Sequence, residues 1–112
     1  MPIEPTEPFR LEEHRDGDRT ILAVHGELDL ATVDDVRARL DALRAERRPV
    51  VLDLDALEFM DSTGIRLVLQ AAEDGARTGW EFSITRGSYA VRRVFQAARI
   101  EDRLPYAAET ER

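Results

Sequence analysis

The order in which strand-like and helix-like hydrophobic patterns follow one another constrains the fold of this chain more than any other feature. Short apolar or alternating segments, such as residues 9–12, 20–25 and 50–54, alternate along most of the chain with longer segments of helical spacing. This pattern predicts the element order ββαβαβα, with a possible last strand at residues 104–107. Strands joined through helices pair in parallel with right-handed crossovers. Because the turn Asp16-Gly17-Asp18 links the first two strands directly, we expect that pair to be antiparallel.

Three segments carry the apolar spacing of amphipathic helices. The first begins at Thr32, whose hydroxyl is expected to cap it. The second is capped by Asp61 or Ser62, and the third starts at Gly87-Ser88. The residues predicted to face inward are Val33, Val36, Leu40 and Leu43 in the first helix, Ile65, Val68, Leu69, Ala72 and Ala76 in the second, and Val91, Val94, Phe95 and Ala98 in the third.

The strand predicted at residues 80–85 indicates how the sheet is covered. Trp80, Phe82 and Ile84 point to one side of the sheet and the polar residues between them to the other. A sheet with helices on both faces would show continuous apolar runs instead. We therefore predict a single α/β domain over residues 9–107, a mixed sheet of four to five strands with helices mainly on one face. Residues 1–8 are expected to form a disordered lead-in and residues 108–112 a frayed tail.

Composition and charge exclude several classes of function. The 112 residues include 23 acidic and 16 basic side chains, a formal net charge of −7, and every basic residue is Arg. P-loops, kinase ATP sites and Schiff-base enzymes all need a Lys, and nucleic-acid binders show a basic stripe. The absence of Cys excludes disulfides and thiolate chemistry. With no secretory signal and no apolar run of about 20 residues, we expect a cytoplasmic protein without nucleic-acid or membrane partners.

Four carboxylates raise the alternative of a small enzyme or a metal-binding domain. Asp29, Asp53, Asp55 and Asp61 lie near predicted strand ends or in the loops that follow, where open α/β sheets bind ligands. Such oxygens suit Mg²⁺, but receiver domains with this arrangement also rely on a Lys. Neither of the two histidines accompanies a serine in a nucleophile-elbow sequence. Helix caps and solvated turns explain these acids better than an acidic catalytic site.

The segment of residues 53–65 indicates a contact surface. A buried strand runs into a loop that is expected to expose Phe59 and Met60 beside the start of the second helix. Apolar side chains exposed next to a polar helix cap suggest binding to another protein. The alternative, in which both side chains fold back over the core, stays open, and Ser62 by itself is explained as a helix cap.

Two motifs carry a resemblance to a known family. The stretch Phe-Met-Asp-Ser-Thr-Gly-Ile at residues 59–65 resembles the phosphorylation-site signature of the anti-sigma factor antagonists, which are STAS domain proteins. The stretch Gly-Glu-Leu-Asp at residues 26–29 resembles the second signature of that family, the loop after its second strand. The separation of the motifs and the order of strands and helices agree with the family over about residues 9–107.

The resemblance implies a partner-switching regulator of transcription and no enzymatic activity. Members of the family bind an anti-sigma factor that is also an ATP-dependent Ser kinase, and this binding releases the sigma factor. Phosphorylation of the signature serine, which maps onto Ser62, ends the binding, and a separate Ser/Thr phosphatase restores it. ATP and Mg²⁺ belong to the partner kinase, so the resemblance implies no cofactor for this chain. It leaves the oligomeric state open.

The resemblance also implies which residues contact the partner. They are Glu27, Asp29, Phe59, Met60, Asp61, Thr63, Gly64 and Arg66. Thr63 stands where many relatives have a second Ser, so it is a minor alternative acceptor. A protein of the same fold that serves as the STAS subunit of a lipid-transport ATPase or of a stress-sensing complex is the alternative function, because such proteins can carry a similar Asp-Ser-x-Gly stretch.

Overall fold

Five strands and three α-helices form the part of the chain that the computed structural model describes, residues 7–108. In chain order they are β1 (Arg10–Asp16), β2 (Arg19–Leu28), α1 (Val33–Ala45), β3 (Val50–Asp53), β4 (Leu57–Met60), α2 (Ser62–Thr78), β5 (Phe82–Ile84) and α3 (Tyr89–Ala97), followed by a 3-10 turn at Glu101–Arg103. The described residues therefore form one mixed α/β domain, as the sequence predicts.

The sheet has the strand order β1-β2-β3-β5, with β4 alongside the end of β2. β1 and β2 form the expected antiparallel hairpin, and all other pairs are parallel. β2 has 10 residues, so it is long enough for two partners in succession. Its first part pairs with β3 and its last three residues with β4, after a shift in register between Gly26 and Glu27.

β4 corrects the prediction from sequence, which treated this region as a loop. The element order is ββαββαβα and not ββαβαβα. Leu57 and Met60 are buried at the ends of β4 while Glu58 and Phe59 between them are exposed, so the strand lacks the alternation by which strands are recognised. Pairing with the end of β2 defines it, because Glu27 lies opposite Phe59 and Leu28 opposite Met60.

One face of the sheet packs against the core. Along β2, buried residues such as Leu22, Val24 and Leu28 alternate with half-buried ones. This alternation agrees with the prediction of helices mainly on one face and an opposite face that is partly open to solvent. The four residues predicted to face inward in α1 are all buried.

The buried faces of α2 and α3 agree only in part with the predicted ones. In α2 the buried residues are Gly64, Leu67, Val68 and Ala71, while Leu69 is 37% exposed and Ala76 is exposed. In α3, Val91 and Phe95 are buried and Ala98 is exposed. Val68 is buried, and Ile65, Ala72 and Val94 pack against the core as predicted. The prediction for α2 missed Gly64, because a glycine was not counted as part of an apolar stripe.

The chain ends differ in how far the structure describes them. The strand predicted at residues 104–107 is reduced to a single bridge, in which Ala107 N–H donates to the carbonyl of Ile84 (2.8 Å) and Ile84 N–H to that of Pro105 (2.9 Å). Residues 1–6 and 109–112 lie outside the described residues, so the predicted disordered lead-in and frayed tail stay predictions. No helix in the described part of the chain has both the length and the apolar character needed to cross a membrane.

Candidate functional site

Two strand ends and the start of one helix meet at one edge of the sheet. β2 ends at Leu28 and β4 at Met60, which lie opposite each other in a parallel pair. Asp61 N–H donates to the carbonyl of Leu28 (3.2 Å), and α2 begins at the next residue, Ser62. The fold therefore brings the two sequence motifs together, although 29 residues lie between them.

Asp61 is the N-cap of α2, which decides between the two caps that the sequence left open. Its carboxylate accepts hydrogen bonds from Thr63 N–H (2.9 Å), the Thr63 hydroxyl (2.5 Å) and Gly64 N–H (3.4 Å). The Thr63 hydroxyl above all, with the backbone N–H groups of Thr63, Gly64 and Leu30, holds the pKa of Asp61 below its ordinary value, against an opposing effect of desolvation. A negative charge is thus fixed at the start of α2, where the helix dipole favours it.

Replacing Asp61 should reveal the cap as a pH-dependent contribution to stability. We expect Asp61→Ala to lower the free energy of unfolding by about 1 kcal/mol at neutral pH, because the cap acceptor is lost. The pKa of Asp61 is lowered from 3.8 in the folded chain. Its contribution is therefore present above that value and is lost as the pH falls through the folded-state pKa. The difference between the two proteins in urea unfolding should shrink as the pH falls below about 4.

An exposed carboxylate on α1 provides the matched control for this prediction. Asp41→Ala removes an exposed carboxylate from α1 that pairs with Arg44 at the surface (3.2 Å) and should change stability by less than about 0.5 kcal/mol. A loss in Asp61→Ala of the same size at every pH would contradict a role for the ionised carboxylate.

Ser62 and Thr63 are placed very differently, although they are neighbours. Ser62 is the first residue of α2 and its side chain is exposed. Among residues 7–108 no hydrogen bond engages its hydroxyl. Thr63 is half-buried and its hydroxyl donates to Asp61. Ser62 is therefore the hydroxyl that another protein can reach.

Gly64 fixes the packing between α2 and the strand ends. A Cβ atom at Gly64 would lie 2.6 Å from Met60 Cγ, closer than real Cβ atoms approach, and 3.1 Å from Leu28 Cγ, which is tighter than most such contacts. Met60 is only 2% exposed. The expectation that the loop exposes Met60 is therefore wrong, because its side chain fills the space that Gly64 leaves between α2 and the sheet.

Two apolar side chains do remain exposed at this edge. Phe59, which the sequence predicted, is 46% exposed, and Leu30, which it missed, is 76% exposed. Leu30 lies beside the helix cap, because its backbone N–H is directed at the Asp61 carboxylate. The signal that could have identified it is an isolated apolar residue in the polar loop after the Gly-Glu-Leu-Asp motif.

The loop after β2 is held by Thr32 and Asp29. The Thr32 hydroxyl donates to the carbonyl of Glu27 (2.8 Å) and accepts from Asp29 N–H (3.0 Å). It makes no capping hydrogen bond to α1, which corrects the predicted cap. The Asp29 carboxylate accepts from Ala31 N–H (3.0 Å). Asp29 thus stands in an ordered loop beside the start of α2, next to the half-buried Glu27 at the end of β2.

Arg66 lies one turn after Ser62 on α2 and is exposed. The other arginine of this helix, Arg77, pairs with Asp74 (2.7 Å). Arg66 has no ion pair, hydrogen bond or ring contact within the described part of the chain. The surface near Ser62 therefore carries two opposite charges: the Arg66 guanidinium, unpaired among the described residues, and the Asp61 carboxylate that caps α2.

The carboxylates that suggested a metal site are engaged in turns. Asp53 accepts from Asp55 N–H (2.9 Å), and Asp55 accepts from Gly87 N–H (3.0 Å). Over residues 7–108, no three His, Asp or Glu side chains come together in a way that could hold a metal ion. Both ring nitrogens of His25 lie near carboxylates, those of Glu7 (3.1 Å) and Glu12 (2.8 Å), and not near a serine.

The fold and the site define a small α/β domain. At one edge of its sheet it presents an exposed serine, an aspartate that caps a helix, and two exposed apolar side chains. The family model of the STAS domain matches residues 10–111. The chain belongs to the STAS domain family.

Individual relatives agree with this assignment. The chain is 30% identical over 78 residues to an anti-sigma F factor antagonist of Lysinibacillus sphaericus, covering 68% of this chain and 67% of that protein. The crystal structure of an anti-sigma factor antagonist from Mycobacterium paratuberculosis superposes with a TM-score of 0.76 at 25% identity, covering 90% of this chain and 87% of that one. The phosphorylated form of the Bacillus cell fate determinant SpoIIAA superposes with a TM-score of 0.65 at 25% identity, covering 91% and 93%.

Proposed function

We propose that this chain is an anti-sigma factor antagonist, a partner-switching regulator that binds an anti-sigma factor when unphosphorylated and is released by phosphorylation at Ser62. The observation that carries the proposal is the exposed Ser62 hydroxyl at the start of α2, beside the exposed apolar side chains of Leu30 and Phe59. Two of the relatives named above are anti-sigma factor antagonists, and SpoIIAA has been solved in a phosphorylated form.

The chemistry of Ser62 suits a phosphate acceptor better than a catalytic nucleophile. A catalytic serine needs a base within hydrogen-bond distance, and in the described residues none is bonded to Ser62. We therefore propose a binding module without catalytic activity or cofactor. The anti-sigma factor acts as the Ser kinase and supplies ATP and Mg²⁺, and a Ser/Thr phosphatase reverses the modification.

A phosphate on Ser62 would oppose binding through its charge. It adds about −1.5 to −2 charges at neutral pH next to Asp61, whose carboxylate is already held in its ionised form. In an interface that excludes water, two uncompensated negative groups repel each other strongly. Losing about 2.7 kcal/mol of binding free energy already weakens affinity a hundredfold.

The choice of acceptor gives the direct test of this function. With the partner kinase, ATP and Mg²⁺, intact-mass analysis should show one phosphate on the wild-type chain and none on Ser62→Ala. Thr63→Ser is the matched control, because it keeps a hydroxyl for Asp61 and should still gain one phosphate. If Ser62→Ala takes up a phosphate, the acceptor is another residue, and Thr63 is then the first candidate.

The partner itself distinguishes the proposed function from the alternative within the same fold. Capture on immobilised wild-type chain, with phosphorylated chain as the control, should recover a small kinase of the ATPase fold with the unphosphorylated form only. Recovery of a nucleotide-binding subunit of a transporter would favour the lipid-transport assignment instead.

A further inference from the structure

We infer that Arg66 is the internal counter-ion of the phosphate on Ser62, so that this chain stabilises its own phosphorylated form through a pair within α2. This inference rests on the proposed phosphorylation of Ser62 and adds a residue that acts after the phosphate is attached. It concerns the released state of the switch and not the contact with the partner.

The first argument is the position of Arg66 on the helix. Residues four apart in an α-helix are offset by only about 40° around the axis, and their Cβ atoms lie roughly 5–6 Å apart. Long helical side chains lean toward the N-terminus of their helix, so the side chain of Arg66 leans toward Ser62. Both residues are exposed, and a planar guanidinium can bind phosphate oxygens in a bidentate manner.

The second argument is that no anion among residues 7–108 pairs with Arg66 in the unmodified chain. Its neighbours three and four positions away on α2 are Ser62, Thr63, Leu69 and Gln70, none of which is charged. Asp61 lies five positions away as the extended N-cap of α2, and its carboxylate is occupied by hydrogen bonds at the cap. A phosphate on Ser62 would be the anion on the same face within reach.

The third argument concerns the energetic balance of a phosphate at this position. The carboxylate of Asp61 repels a phosphate on Ser62, and a cation four residues away opposes that repulsion. Arg66 should therefore favour the dianion, lower the second pKa of the phosphate from its usual value of about 6, and reduce any loss of folding stability. At high salt the effect should weaken, because both groups are exposed to solvent.

The test measures the phosphate directly and needs neither kinase nor partner. Phosphoserine is installed at position 62 of the full chain during synthesis, and its titration is followed by ³¹P NMR in wild type, Arg66→Gln and Arg77→Gln. We expect Arg66→Gln to raise the second pKa of the phosphate by about 0.2–0.7. Arg77→Gln, which changes the net charge equally but lies about 22 Å along the helix, should leave it within about 0.1.

Further readouts separate a pair from a general charge effect. Phosphorylation should change the melting temperature of Arg66→Gln by about 1–3 °C further downward than it changes that of the wild type. Arg66→Lys should keep most of the effect. Equal phosphate pKa values in wild type and Arg66→Gln, or an equal rise in Arg77→Gln, would overturn the pairing. Failure of the kinase to label Ser62 would overturn the proposed function alone, because the titration does not depend on it.

Discussion

Phosphorylation of Ser62 is expected to weaken binding of the anti-sigma factor by at least about a hundredfold while leaving the melting temperature of the chain nearly unchanged. The same phosphate meets two environments. On the free chain it is exposed to water, lies at the start of α2 where the helix dipole favours negative charge, and has Arg66 on the same face. In the complex it would be desolvated beside Asp61, where an uncompensated dianion costs several kcal/mol.

A thermal melt and a binding titration on one phosphorylated sample measure both effects together. Ser62→Ala should bind as the wild type does, and Ser62→Asp should bind weakly, because a carboxylate carries less charge and fewer acceptor oxygens than a phosphate. A fall in melting temperature of more than about 8 °C together with lost binding would indicate that unfolding is the mechanism. Unchanged affinity of the phosphorylated chain would refute the switch.

Truncation of Met60 is expected to reduce mainly the stability of the fold, and truncation of the neighbouring Phe59 mainly the binding of the partner. Met60→Ala should lower the free energy of unfolding by about 2–5 kcal/mol, because it empties a buried site between α2 and the sheet. Phe59→Ala should lower it by about 1 kcal/mol or less, since the side chain is 46% exposed. Loss of this exposed ring should instead weaken partner binding about tenfold or more.

Urea unfolding and a binding titration on both variants separate these roles. Met60→Leu is the matched control for the core, because it nearly conserves volume and should cost less than about 1.5 kcal/mol. If Phe59→Ala is the more destabilised of the two, the assignment of inner and outer faces at β4 is wrong. If both variants bind with wild-type affinity under conditions where they are folded, Phe59 lies outside the contact surface.

The general architecture could be predicted because it depends on local patterns. The hairpin turn at residues 16–18, the apolar stripe of α1 and the alternation near Phe82 are each contained in a few consecutive residues. Local patterns of this kind report the period of an element and the face that it buries. They were sufficient for a mixed sheet with one covered face.

The errors lie where long-range contacts decide the structure. β4 is a strand because β2 extends past β3 and offers its last residues as a partner, which no pattern within residues 57–60 reveals. The inward face of α2 includes Gly64 because Met60 and Leu28 approach it closely. Thr32 and Asp61 both have residue types that cap helices, but the hydroxyl of Thr32 bonds the preceding loop instead.

The site was predictable in its motifs but not in its geometry. The two signatures identified the neighbourhood of Ser62, and the family assignment agrees with them. Which side chains are accessible there depends on the register of β4, so Met60 was assigned to the surface and Leu30 was overlooked. The hydrogen bond that occupies Thr63 and leaves Ser62 available could not be read from the neighbouring letters alone.

The close packing of Gly64 against Met60 and Leu28 limits how far phosphorylation can change the shape of this surface. The start of α2 packs closely on the sheet at Gly64, and densely packed contacts of this kind deform little. A partner would therefore meet a surface of one shape whether or not Ser62 is modified. Phosphorylation would therefore change the charge of this surface and not its shape. The two states should have superimposable backbones and differ in electrostatic potential.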